Sequence, residues 1–90
     1  MTATTLTGNR INNPGNGSYQ LWPHGAITSI TVVTDEGSLT GLLTFKIGGH
    51  DMKIDLAAGE RFIGLSAKVP MLYMDVSGVA VDANFLIILS

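Results

Sequence analysis

Alternation of apolar and polar residues runs through much of the chain and predicts short β-strands. Apolar residues occupy every second position in Leu43–Ile47 and again in Met52–Leu56. Because successive side chains of a strand point to opposite faces, each segment presents one apolar face. A two-residue turn at Gly49-His50 would join the two strands as a hairpin in which Phe45 lies opposite Ile54.

Similar patterns predict further strands on both sides of this hairpin. Ala26–Thr34 is rich in β-branched residues, and its alternation shifts at Thr28-Ser29, which predicts a β-bulge. Leu72–Ser77 alternates again, whereas Phe85–Leu89 is a continuous apolar run, typical of a strand buried on both faces, either inside the sandwich or under another subunit. No segment carries the periodicity of a helix. Shorter strands are predicted at Thr4–Thr7, Ser18–Trp22 and Arg61–Leu65, with turns or loops at residues 35–38, 57–60 and 67–70.

The number and spacing of these strands predict an all-β fold. Seven or eight short antiparallel strands are typical of a small β-sandwich or a jelly-roll-like barrel. The 90 residues are enough for one domain with a modest core. We expect that domain over residues 19–90, after an N-terminal arm or loop over residues 1–18, because Asn9–Ser18 is rich in turn-forming Asn, Gly and Pro. The arm would be either flexible or ordered on a neighbouring subunit.

Composition narrows the classes of partner. Charged residues make up 13% of the chain and hydrophobic residues 46%. Such a surface is either neutral and Thr-rich or partly covered by another subunit. The net charge of −2 without a basic cluster argues against nucleic acid as a partner. The sequence has no apolar run of about 20 residues, and it does not begin with a basic region followed by an apolar stretch, so we expect no contact with a membrane.

The residues that carry chemistry do not converge in the sequence. The chain has no cysteine, and its two histidines, His24 and His50, lack metal-ligand spacing. Nucleophile motifs and phosphate-binding loops are also missing from the sequence. We therefore predict no catalytic site, no metal site, no cofactor and no enzyme activity. Asp75 and Asp82 flank a glycine turn, where a turn-stabilising role is favoured over a calcium site.

Candidate binding residues lie near both ends of the chain. Leu6, Ile11 and Tyr19 are apolar points along the N-terminal segment, and Trp22 and His24 flank Pro23. We predict that these five side chains bind a partner. The aromatic ones alternatively lie at the edge of the core, at a protein interface or against a sugar. The apolar C-terminal run predicts an oligomer interface that involves Phe85, Ile87 and Leu89.

Three segments carry a resemblance to a known class of protein. They read LTFKIGG at Leu43–Gly49, DLAAGERF at Asp55–Phe62 and MDVSGV at Met74–Val79. Together with the short, cysteine-free chain and its Asn- and Gly-rich start, they resemble capsid cement or decoration proteins of tailed bacteriophages. The resemblance implies a structural homo-oligomer that is made in the host cytoplasm, lies on the virion surface, and binds and stabilises the major capsid protein. The alternative is a carbohydrate-binding or adhesin-like module that uses Tyr19, Trp22 and His24.

Overall fold

The computed structural model describes residues 3–34, 39–58 and 61–90. It confirms the all-β prediction, because nine strands in two sheets make up the described chain. The predicted turn at residues 35–38 and residues 59–60 of the next one lie outside the described residues. A 3-10 turn spans Leu56–Ala58. The strands are β1 (Thr4–Thr7), β2 (Arg10–Asn12), β3 (Gly17–Trp22), β4 (Ile27–Thr34), β5 (Leu42–Ile47), β6 (His50–Asp55), β7 (Arg61–Val69), β8 (Leu72–Ser77) and β9 (Phe85–Leu89).

The two sheets pack face to face as a sandwich. The five-stranded sheet has the order β1-β3-β8-β5-β6, and the four-stranded sheet has the order β2-β9-β4-β7. Every pair is antiparallel except β1 with β3, which is parallel, so the prediction of a purely antiparallel fold was wrong at this edge. The chain leaves β1, crosses to the other sheet for β2 and returns in β3. A crossover of this kind is what parallel neighbours require.

The core lies between the inner faces of the two sheets. It forms because alternate residues of each strand point inward and remove apolar surface from water. Among the described residues, no buried polar side-chain atom lacks a hydrogen-bond partner. The most deeply buried side chains are Leu21, Ile27, Ile30, Val32, Leu43, Phe45, Leu56, Leu72, Met74, Ile87 and Leu89.

The predicted hairpin forms, but its register differs by two residues. Phe45 pairs with Met52 and not with Ile54, and the turn is made by Gly48 and Gly49. Both glycines have positive φ, 57° and 83°. A type I′ turn requires positive φ at both central residues, which a Gly-Gly pair supplies more readily than Gly-His. Because side chains repeat every two residues, the shift leaves Phe45 and Ile54 on the same buried face, as predicted.

The observed register also improves the charge pairing on the outer face. Lys46 lies opposite Asp51, whereas the predicted register would have placed it opposite Lys53. Opposite charges across a strand pair stabilise the sheet and like charges destabilise it. Turn geometry and electrostatics therefore favour the same register.

The four-stranded sheet contains the predicted bulge and one longer strand. Thr28 and Ser29 both donate their backbone N–H to the carbonyl oxygen of Ser90, at 2.7 and 2.8 Å, and the pairing of β4 with β7 shifts register between Ile27 and Ser29. The bulge at Thr28-Ser29 is thus confirmed. The strand predicted to end at Leu65 continues to Val69, so the predicted loop at residues 67–70 was wrong for most of its length.

The C-terminal strand is buried on one face only. Phe85, Ile87 and Leu89 point into the core, whereas Leu86 and Ile88 are half-buried on the outside. The prediction that both faces of this strand are buried inside the sandwich was therefore wrong, whereas burial of its outer face under another subunit stays a prediction. The outward aliphatic side chains remain in contact with solvent.

The N-terminal segment is integrated into the sandwich and does not project from it. Strand β1 extends the five-stranded sheet beside β3, and β2 extends the four-stranded sheet beside β9. Ile11 is 6% exposed and belongs to the core. The structure thus differs from the expected division at residue 18, because residues 4–12 contribute a strand to each sheet.

Three asparagines of this segment bind the backbone of the second half of the chain. The amide of Asn16 donates to the carbonyl oxygen of Val79 and accepts from its N–H, both at 2.9 Å. Asn13 donates its backbone N–H to the carbonyl oxygen of Phe85 at 2.9 Å, and its side-chain oxygen accepts the N–H of Phe85 at 2.7 Å. Asn9 donates its side-chain amide to the carbonyl oxygen of Leu89 at 2.9 Å. The turn-forming composition of this segment therefore serves long-range hydrogen bonding as well as local turns.

Gly41 lies at a close approach between two loops. Its φ is 135°, and a side chain there would place Cβ 2.5 Å from the Cγ2 methyl of Val79 and 3.3 Å from the carbonyl oxygen of Ser77. The carbonyl oxygen of Gly41 also accepts the N–H of Leu56 at 3.0 Å. Only glycine fits this backbone conformation and this spacing.

Replacement of Asn16 by Ala should lower the free energy of unfolding by about 1–3 kcal/mol, because both backbone groups of Val79 lose their partner. Denaturant unfolding measures the change. Asn12→Ala is the matched control, because the Asn12 side chain is exposed and makes no hydrogen bond with another described residue. Equal stabilities for the two variants would contradict the structural role of Asn16.

Gly41→Ala should destabilise the fold by more than about 1 kcal/mol, because alanine is strained at positive φ and would also contact Val79. Gly64→Ala is the control, because a Cβ there would meet only a Phe62 ring carbon at an ordinary 3.7 Å. Thermal unfolding of both variants makes the comparison. A Gly41→Ala protein as stable as Gly64→Ala would show that the loops at residues 41 and 79 are not in close contact.

Candidate binding surfaces

The predicted partner-binding residues fall into two separate groups. Leu6, Ile11 and Tyr19 line a cleft of about 230 Å³ between β1 and β2. Leu6 and Tyr19 are half-buried and pack against the core, to which Ile11 belongs. The structure brings these three side chains together, but they serve mainly to pack the sandwich and are only partly available to a partner.

The hydroxyl group of Tyr19 already has an intramolecular partner. It donates a hydrogen bond to the carbonyl oxygen of Gly15 at 2.6 Å. This places Tyr19 at the edge of the core with its polar end tied to the N-terminal loop, an arrangement typical of tyrosine. The ring of Tyr19 is therefore not presented as a free binding platform.

Trp22 and His24 lie outside that cleft. Trp22 is 42% exposed, and it points outward because its neighbour Leu21 is buried in the core. His24 is exposed, and its backbone N–H donates to the side-chain oxygen of Asn9 at 2.6 Å. The five predicted residues therefore do not form one site.

The predicted oligomer-interface residues are internal. Phe85, Ile87 and Leu89 are 3%, 0% and 1% exposed within a single folded chain. Their side chains are consequently occupied by this chain's own core. The residues of β9 that a second molecule can contact are Leu86 and Ile88.

The outer side of the four-stranded sheet is rich in apolar side chains. Ile88 and Phe62 flank Thr31 on either side, and Leu86 pairs with Val33 in the next row. Phe62 is 68% exposed, and the other three apolar residues are half-buried. We call Val33, Phe62, Leu86 and Ile88 the apolar face. A solvated sheet normally presents polar residues at these positions, so the apolar face is suited to contact with protein.

The outer side of the five-stranded sheet has different chemistry. Gln20 pairs with Tyr73, which in turn pairs with Lys46 on the next strand. Trp22 lies two residues beyond Gln20 on the same side of β3. We call Gln20, Trp22, Lys46 and Tyr73 the aromatic face. Sequence reasoning missed Tyr73, because only the pairing of β3 with β8 brings it beside Trp22.

Lys46 of the aromatic face takes part in an ion pair. The Lys46 Nζ lies 3.2 Å from Asp75 Oδ2. A hydrogen bond from the Ser18 side chain lowers the pKa of Asp75, burial opposes that effect, and Lys46 lowers the pKa further. The carboxylate is thus held in its charged form. Both partners are well exposed, so the pair orients polar groups more than it stabilises the fold.

Another cleft lies where the β5–β6 hairpin meets β7. It has a volume of about 440 Å³ and is mostly apolar. Among the described residues that line it, His50 is the one titratable side chain. Its lining consists of Ile47, Gly48, His50, Met52, Gly64, Leu65, Ser66, Ala67 and Val69.

No group of three or more His, Cys, Asp or Glu side chains within residues 3–34, 39–58 and 61–90 is placed to hold a metal ion. The same part of the chain contains no helix with the length and hydropathy needed to cross a membrane.

The two outer sides of the sandwich thus differ in chemistry, because one is apolar and the other combines aromatic rings with polar groups. No protein-family model, no curated protein and no solved structure matches the chain.

Proposed function

We propose that the chain is a non-catalytic structural module that self-associates and binds the surface of a larger assembly. The kind of assembly that the resemblance in the sequence suggests is a phage capsid, with the major capsid protein as the partner. The observation that carries the proposal is the apolar face on the four-stranded sheet. Among the surfaces described above, it is the one most typical of a protein–protein contact.

The composition of the apolar face supports protein contact. Phe62 presents a large exposed ring, and Leu86 and Ile88 extend the same surface across β9. Buried interface cores are depleted of charge and enriched in aromatic and aliphatic side chains. Arg10 and Asn12 pair with Ile88 and Leu86 and supply a polar border along β2. The arrangement resembles the apolar centre and polar rim of a protein interface.

A face of this size gives a weak contact for each copy. Stable interfaces bury about 800 Å² on each partner, which is more than a few side chains provide. Copies that self-associate can bind several neighbouring subunits of a lattice at once, and the combined affinity then exceeds that of one contact. The proposal therefore requires both self-association and a repetitive partner.

The chain should show an average mass above that of a monomer, rising with concentration, when measured by light scattering. Phe62→Ser should raise the dissociation constant roughly tenfold or more, because burying a Phe side chain contributes about 1.5–3 kcal/mol. Val81→Ser is the control, because Val81 is fully exposed in a turn outside both outer faces. A wild-type chain that stays monomeric at high concentration would contradict self-association, and equal effects of the two variants would contradict the role of Phe62.

The chain should also be found in purified phage particles from its source at a fixed ratio to the major capsid protein. Quantitative mass spectrometry of washed particles measures this ratio. Particles loaded with the Phe62→Ser chain should retain less of it after dilution than particles loaded with Val81→Ser. Absence of the chain from particles would overturn the capsid part of the proposal. Self-association would then be judged from the light-scattering measurement alone.

A further inference from the structure

Two exposed aromatic rings lie side by side on the outer side of the five-stranded sheet. Trp22 and Tyr73 are 42% and 45% exposed. Gln20 lies directly opposite Tyr73 and two residues before Trp22, so the two rings are diagonal neighbours. Diagonal neighbours in an antiparallel pair are about 7–8 Å apart, within reach of large side chains. Neither ring belongs to the core cluster, so the exposed surface of each is available to a ligand.

The polar groups of the aromatic face have unused hydrogen-bonding capacity. The indole N–H of Trp22, the hydroxyl of Tyr73 and the amide of Gln20 make no hydrogen bond with another described residue. In contrast, the hydroxyl of Tyr19 is satisfied inside the molecule. An exposed aromatic pair with free donors and acceptors beside it can bind a ligand that has both apolar and hydroxyl-bearing surfaces.

We propose that the aromatic face binds an unbranched polysaccharide of β-1,4-linked pyranose units in the gluco configuration. The ring substituents of such sugars are equatorial, so both faces of each ring present C–H groups while the hydroxyls lie along the edges. The C–H faces stack on Trp22 and Tyr73. The edge hydroxyls bind the amide of Gln20 and the Lys46–Asp75 ion pair.

The surroundings of the two rings favour a sugar over a protein or a nucleic acid. The neighbouring outward residues carry hydroxyl groups, as Ser18 and Thr44 do, and the apolar contacts that a protein interface core needs are on the opposite sheet. Lys46 is paired with Asp75 and faces Asp51 across the hairpin. The face thus lacks the positive excess that a phosphate backbone requires.

The chain carries its own reporter for this interaction, because Trp22 is its one tryptophan. The full chain is titrated with cellohexaose and with chitohexaose while the fluorescence of Trp22 is recorded. A saturable change in emission is expected. Tyr73→Ala should weaken binding roughly tenfold, which corresponds to the loss of one stacked ring. Val81→Ser should bind as the wild type does, because it lies outside the aromatic face.

Each outcome decides the proposal. No saturable change with either oligosaccharide overturns it, as does binding that Tyr73→Ala does not weaken. Gln20→Ala supplies a second test if Tyr73→Ala fails to fold, and it should weaken binding severalfold. If Tyr73→Ala reduces self-association and no sugar binds, the aromatic face is a protein interface and the proposal is wrong. A chain that binds the sugar and stays monomeric supports this proposal while contradicting the proposed self-association, so the two fail separately.

Discussion

The hydrogen bonds of three asparagine side chains hold the N-terminal segment against the second half of the chain. Asn9, Asn13 and Asn16 bind the backbone of Leu89, Phe85 and Val79, at sequence separations of 80, 72 and 63 residues. A side-chain amide has both a donor and an acceptor, so one residue can satisfy an N–H and a carbonyl oxygen that would otherwise lack partners. These bonds let a segment of low hydrophobicity complete both sheets.

The small size of the core explains why this sandwich keeps its N-terminal segment inside the fold. A 90-residue domain without disulfides has little core to spare. Strand β1 forms the edge of one sheet and β2 the edge of the other, and Ile11 adds a buried side chain between them. Exposed sheet edges invite unwanted pairing with other chains, and the edges that β1 and β2 present are short, four and three residues long, which limits such pairing. The N-terminal segment therefore contributes to the fold before it contributes to any partner contact.

Strand positions could be predicted from alternation, whereas long-range relations could not. Leu72–Ser77 and the bulge in Ala26–Thr34 followed from periodicity and β-branched residues alone. The hairpin register was wrong because two turns, Gly48-Gly49 and Gly49-His50, keep the same residues on the buried face, and only the backbone conformation of both glycines separates them. The partners of the asparagines depend on residues more than 60 positions away, which local turn propensity does not reveal.

The composition of the candidate surfaces also depends on strand pairing, which the sequence does not reveal. The sequence indicated that the C-terminal run touches something on both faces, yet only the pairing of β9 with β4 shows that Leu86 and Ile88 join Phe62 and Val33 in one apolar face. Likewise, Trp22 was a candidate from the start, but Tyr73 becomes its neighbour only through the register of β3 with β8. In the functions that we propose, the apolar face binds a protein and the aromatic face binds a sugar, so the two partners would use opposite sides of one small domain. Since the inner faces alone determine the core, mutations on either outer face should alter one interaction without disturbing the other or the fold.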